Sequence, residues 1–190
     1  MLPLEDTIKA ISNSLLGLDP GSLAELRRME PGGVGTPIFW RLAAENKLNQ
    51  SQIATWQQIV RIMAILSAKG NPELRNDVHN KSRRLGEVLC DGGDASPDWG
   101  KDMGNDVRPV LSEKRFGRFL ALPAKDRGAA LERLARQLAR TRDPGRGLNC
   151  LEIATLLLTP EKTSSLQSLA RDFYNRLDRA ALKPADKGTV

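Results

Sequence analysis

The sequence predicts an all-α protein: two helical bundles joined by a long loop. Three observations carry that prediction. No run of residues alternates apolar and polar with period two, and apolar residues return instead at i, i+3, i+4 and i+7. Cap-forming residues, several followed by Pro, separate those runs. The stretch 91–109 (DGGDASPDWGKDMGNDVRP) breaks the pattern with five Asp, four Gly and two Pro, the composition of a linker or surface loop. It divides the chain into an N-terminal bundle at 1–90 and a C-terminal bundle at 110–190.

In the first half, Leu4, Ile8, Ile11 and Leu15 form one apolar stripe that Gly17 and Pro20 close. Asp19-Pro20 caps and opens a short helix from Ser22 to Met29, with Leu23 and Leu26 inward and Arg27 and Arg28 at its end. Pro31, Gly32, Gly33 and Gly35 make a loop. Thr36-Pro37 starts a helix whose Phe39, Trp40, Leu42 and Ala43 are expected in the core. The longest early helix spans about Ser51 to Ala68, its stripe made by Ile53, Trp56, Ile59, Val60, Met63 and neighbours, and Gly70, Asn71 and Pro72 stop it. Leu85, Val88, Leu89 and Cys90 give a short helix capped by Ser82.

In the second half, Ser112 caps a helix with Phe116, Phe119 and Leu120 on one side and Lys114, Arg115 and Arg118 on the other. A longer helix follows in which Leu131, Leu134 and Leu138 share a face. Asn149, with Glu152 three residues on, resembles a capping box before the almost wholly apolar CLEIATLLL. Thr159-Pro160-Glu161 opens the last helix, with Leu166, Leu169, Ala170, Phe173, Leu177 and Ala180 at helical spacing, and the tail from Lys183 is polar.

Charge is the feature that points to a function. Between Arg108 and Arg146 lie eleven Lys or Arg against four acids, a net +7, which exceeds the +6 of the whole chain. On a helical wheel Arg133, Arg136 and Arg140 fall within about 60° of one another, opposite the leucines. They span roughly 10 Å along the axis, the reach of one or two phosphates of a nucleic-acid strand. A solvated helix face normally mixes signs, and here only Glu132 and Arg136 make an i, i+4 pair. An unbalanced row of this kind suits a polyanion. Lys81, Arg83 and Arg84 form a smaller cluster at a helix start, where cations are unfavourable unless something holds them.

Other chemistries find little footing. Cys90 and Cys150 are sixty residues apart with no further thiol, so they read as buried small side chains in a reducing cytoplasm rather than a disulfide or metal site. His79 is the only histidine, in the polar segment RNDVHNKSRR, with no second ligand or base partner nearby. The Asp and Gly residues of 91–109 lack the ligand alternation ending in Glu that a Ca²⁺ loop needs, and Trp99 within it either anchors the loop or is exposed. No nucleophile–base–orienter set and no phosphate-binding Gly loop occurs, so no enzyme, no cofactor and no metal are expected. No segment reaches the roughly 20 apolar residues of a membrane span, and a cytoplasmic protein is expected.

Several segments, in their order, resemble a known family. GSLAELRRMEP, TPIFWRL, IMAILSA, RRLGEVL, SEKRFGRFLAL with LERLARQL, and SLARDFY resemble the CasB family, the small subunit of the type I-E CRISPR surveillance complex Cascade, over roughly residues 19–177. No single motif carries the resemblance; the order and spacing do. It implies an all-helical, two-bundle, non-catalytic protein that pairs head to tail with a second copy against the Cascade backbone and large subunits. It also implies a basic surface that holds the displaced non-target DNA strand and supports the crRNA–target duplex. The family's basic positions fall on Arg28, Lys114, Arg115 and Arg133; Arg118, Arg136 and Arg140 join them from the charge row alone. The chain departs from the family at Gly117, where a bulky apolar residue is more usual, and in the length of the 91–109 loop.

Two other readings stay open. A helix-turn-helix regulator would present Asn, Gln, Ser or Arg to base edges, whereas the helix from Ala129 to Arg140 offers mostly Arg, Leu and Ala. A helical adaptor would bind protein and ignore DNA. With aromatics at 4%, base stacking is expected to add little to any single-strand binding.

Overall fold

A computed structural model describes residues 3–93, 110–141 and 146–181. Among them the chain forms nine α-helices and no strand, as an all-α protein should: α1 (Leu4–Gly17), α2 (Pro20–Arg28), α3 (Pro37–Glu45), α4 (Ile53–Leu66), α5 (Leu85–Asp91), α6 (Glu113–Leu120), α7 (Ala124–Thr141), α8 (Cys150–Leu158) and α9 (Thr163–Ala181). Most of the linker 91–109, with Trp99, lies outside the described residues.

Helix α4 is apolar nearly all round, and a helix of that kind has to be enclosed. Residues Trp56, Ile59, Val60 and Ile62 through Leu66 are all buried, with α1, α2, α7 and α8 packed around them. The remaining core comes from one face of each amphipathic neighbour: Ile8, Ile11 and Leu15 of α1, Leu23 and Leu26 of α2, Leu131, Leu134 and Leu138 of α7, Ile153 and Ala154 of α8. Helix α5 lies along α9. The buried apolar residues therefore make one continuous cluster drawn from both sides of 91–109. The helices on the two sides share a core, and no boundary between two bundles is visible in the packing.

Two of the contacts between the sides run through backbone atoms. Segment 78–84 is stitched to 146–150: a parallel bridge joins His79 and Leu148, the Asn80 amide donates to the Leu148 carbonyl (2.9 Å), the Leu148 amide to Val78 (2.9 Å) and the Asn149 amide to Arg83 (2.8 Å). At Gly86, α5 approaches α9 so closely that a Cβ there would meet the Leu169 carbonyl oxygen at 2.5 Å and the Phe173 amide nitrogen at 2.9 Å. Only glycine permits that approach.

Several arginines spend their donors on carbonyls the helices leave open at their C-terminal ends, where cations are favoured. Arg27 donates to Ala64 (2.8 Å) and Ser67 (3.0 Å) at the end of α4. Arg75 gathers the carbonyls of Leu18, at the end of α1, and of Gly70. Both are structural.

Some local expectations are corrected. Trp40 is 40% exposed rather than in the core, because its indole N–H donates outward to the Val34 carbonyl (2.8 Å) while Phe39 fills the interior. Helix α4 starts at Ile53, after a 3₁₀ turn at Gln50–Gln52, and α9 starts at Thr163 instead of at Thr159-Pro160. Ser112 stands at the cap of α6 without a side-chain bond. Asn149 and Glu152 form no capping box: the Glu152 carboxylate turns away to accept the Leu85 amide (2.7 Å), so α5 is capped by α8 and not by Ser82. Burial pushes the Glu152 carboxyl above its ordinary range, against the pull of that amide and of Arg84.

Both cysteines are buried thiols outside any disulfide, and burial beside Asp91 pushes the Cys90 thiol up to about 12. The His79 ring is a structural acceptor, its Nδ1 taking the Cys150 amide (3.2 Å), and burial lowers its pKa.

Candidate nucleic-acid interface

The cationic row rests on two amphipathic helices. In α6, Phe116 and Phe119 are buried while Lys114, Arg115 and Arg118 are exposed. Phe116 stacks on Phe173 of α9 at 3.9 Å between ring centroids and 12° between planes, which fixes the helix with its charged side outward. Gly117 is on the outer side too, with nothing within 4 Å of a Cβ, so no bulky apolar residue is missed there. In α7, Ala130, Leu131, Leu134, Ala135 and Leu138 are buried and Arg133, Arg136 and Arg140 exposed.

A glutamine joins the two groups. Arg115 donates from Nη2 to Oε1 of Gln137 (2.9 Å), and Gln137 donates from Nε2 to the Val110 carbonyl just before α6 (2.6 Å). Gln137 lies one helical turn from Arg133 and from Arg140. The first turn of α6 is thereby set against the charged side of α7. Nothing in the sequence singles out Gln137.

The seven candidates differ in what they touch. Lys114, Arg118, Arg133 and Arg140 are exposed and make no hydrogen bond or ion pair among the described residues. Arg115 has only the neutral Gln137. Arg136 is compensated: its Nη2 sits 2.8 Å from Glu132 Oε1, on a carboxylate that also takes Nη2 of Arg61 (3.0 Å) and Nε2 of Gln58 (3.2 Å) from α4. Arg28 is exposed at the end of α2, its Nε on the Ala24 carbonyl (3.2 Å), and α2 packs on α3 and α4. No bond or ion pair among the described residues joins Arg28 to the α6–α7 row.

The second basic cluster is spent internally. Lys81 pairs with Glu5 (2.7 Å) and lowers that carboxyl's pKa. Arg83 is buried, donating to the carbonyls of Gly147 (2.8 Å), Gly92 and Gly93. Arg84 bonds Glu152 (2.7 Å) and Asp172 (2.9 Å). What holds these cations at a helix start is the chain itself, which removes them as evidence for a partner. Arg127, within the basic segment, likewise donates to Pro160 (2.7 Å) and Leu122 (3.3 Å).

Comparison with protein-family models, with curated proteins and with solved structures finds no match. Among the described residues no three or more His, Cys, Asp or Glu side chains are gathered as a metal would require, and no helix is long and apolar enough to cross a membrane. What the α6–α7 surface can do chemically is attract an extended polyanion: four uncompensated charges and a fifth on a neutral partner, on helices rigidly seated by aromatic and leucine packing.

Proposed function

We propose that this chain is a non-catalytic small subunit of the CasB type in a cytoplasmic type I-E Cascade complex. Its α6–α7 face holds R-loop nucleic acid, the displaced non-target DNA strand above all, and supports the crRNA–target duplex. The backbone and large subunits and a second copy of the chain are its partners. One observation carries the reading: Lys114, Arg118, Arg133 and Arg140 stand exposed without partners among the described residues, whereas Arg27, Arg61, Arg75, Arg83, Arg84 and Arg127 are consumed by carbonyls and carboxylates of the fold.

The mechanism is electrostatic. Each phosphate neutralised by Lys or Arg releases condensed counterions, so affinity for a single strand falls with salt at a slope near −0.7 per phosphate. Exchanging a DNA duplex for an RNA–DNA heteroduplex is nearly balanced in energy, so a few such interactions with the displaced strand suffice to favour the open state.

The experiment is a quadruple Ala replacement of Lys114, Arg118, Arg133 and Arg140, titrated with single-stranded DNA at several salt concentrations. Affinity should drop and the slope should flatten by about 0.7 for each phosphate no longer neutralised. The unfolding free energy should move by no more than about 0.5 kcal/mol per site. Unchanged affinity and slope would remove the reading, and failure to co-purify with a guide-RNA complex would remove the Cascade assignment.

A further inference from the structure

The cationic face of α7 is longer than its arginines. Lys125 stands in the first turn of the helix, exposed and without a hydrogen bond or ion pair among the described residues. At 100° per residue, Lys125, Ala129, Arg133, Arg136 and Arg140 fall within about 80° of one another. All five are exposed, and they lie opposite the buried face of Ala130, Leu131, Leu134, Ala135 and Leu138. This strip holds four cations, one small side chain and no acid. Glu132, at its edge, is already committed to Arg61, Gln58 and Arg136.

The strip has a length and two distinct ends. From Lys125 to Arg140 it covers about 22 Å along the axis, twice the reach of Arg133 to Arg140. Helix α6 leads through residues 121–123 into the start of α7, while its own first turn is tied back to Gln137 through Arg115 and Val110. The two helices therefore run antiparallel. Lys114 and Arg115 belong with the Arg133–Arg140 end, and Lys125 marks the other. A first-turn cation is opposed by the helix dipole, and nothing among the described residues compensates Lys125 for it.

Resting on the function proposed above, we infer that the single strand lies lengthwise along α7 and that Lys125 binds one of its phosphates. The backbone passes from Arg140 and Arg133 over Ala129, whose small side chain lets it stay close to the helix, to Lys125. Such a path engages on the order of four phosphates, twice what the arginines alone can reach. A strand crossing α7 instead would meet Arg133 or Arg140 together with α6 and leave Lys125 untouched.

The test is fluorescence anisotropy of the full chain with labelled thymidine oligomers at several salt concentrations. A trimer is too short to join Arg140 to Lys125, whereas a decamer covers the whole strip. Lys125→Ala should weaken the decamer roughly fivefold at about 0.1 M salt and flatten its slope by about 0.7, while changing trimer affinity less than about twofold. Lys125→Arg should bind both like the parent. The unfolding midpoint of Lys125→Ala should hold or rise, because a cation leaves the first turn of a helix. Decamer binding that falls with the quadruple replacement of Lys114, Arg118, Arg133 and Arg140 but is indifferent to Lys125→Ala overturns the lengthwise path and leaves the face standing. Equal losses for trimer and decamer overturn the path as well. Decamer binding indifferent to the quadruple replacement overturns both the path and the face.

Discussion

Gly86 of α5 and Leu169 of α9 meet backbone to backbone: a Cβ at Gly86 would stand 2.5 Å from the Leu169 carbonyl oxygen. The neighbouring atoms belong to the backbone of a long helix and cannot swing aside. Gly86→Ala should therefore push α5 off α9 and destabilise the fold by about 3 kcal/mol, the upper end of overpacking. Denaturant titration measures it, and a change under about 1 kcal/mol would mean the two helices are not this close.

Gly117 is the opposite case. It lies inside α6, exposed, with open space where a Cβ would go. Gly117→Ala should raise stability by about 0.5–1 kcal/mol through helix propensity alone, with single-strand DNA affinity unchanged. Thermal unfolding of the two glycine variants side by side distinguishes a packing glycine from an incidental one.

Glu132 couples stability to the charged face. Its carboxylate serves Arg61, Gln58 and Arg136 together. Glu132→Gln leaves the largely buried Arg61 without its counter-charge, at a cost of about 1–3 kcal/mol, and releases Arg136 for a polyanion. Stability should fall while DNA affinity rises and its salt slope steepens. A fall in affinity would contradict the proposed face.

Acid should weaken the fold through His79. Burial, partly opposed by Asp77 and Glu5, holds the imidazole below its ordinary value of 6.5. On acidification the unfolded chain takes the proton first, so this contribution is level above about pH 6.5 and declines as pH falls below it. Protonation would also end the acceptance of the Cys150 amide by Nδ1. His79→Asn keeps an acceptor without the titration, and the stability difference between parent and variant should shrink from about pH 7.5 to about pH 6. A difference that does not vary with pH would rule out His79 as the source of acid sensitivity.

The helices are legible in the sequence wherever a stripe is long or a cap is local. Asp19 accepts the Gly21 and Ser22 amides and Thr36 the Phe39 amide, both within three residues. Caps supplied from afar are not legible: nothing near Leu85 says that Glu152 accepts its amide. The same limit governs the charges. Periodicity places Lys114, Arg118, Arg133 and Arg140 on outward faces, which holds because the leucines and phenylalanines beneath them pack. It cannot tell these from Arg83 and Arg84, whose partners Gly147, Glu152 and Asp172 lie more than sixty residues downstream. Trp40 departs from its apolar surroundings because its hydrogen bond to a loop carbonyl outweighs the pull of its neighbours into the core.

The acceptor for the first amide of α5 is carried by residue 152, and the carbonyls that hold Arg83 include that of residue 147. A nascent chain leaves the ribosome amino end first and folds as its contacts become available. Helix α5 thus emerges with its start undressed and a guanidinium unhoused until α8 has been translated. The native start of α5 and the native seat of Arg83 are thus complete only once the chain has been made through residue 152.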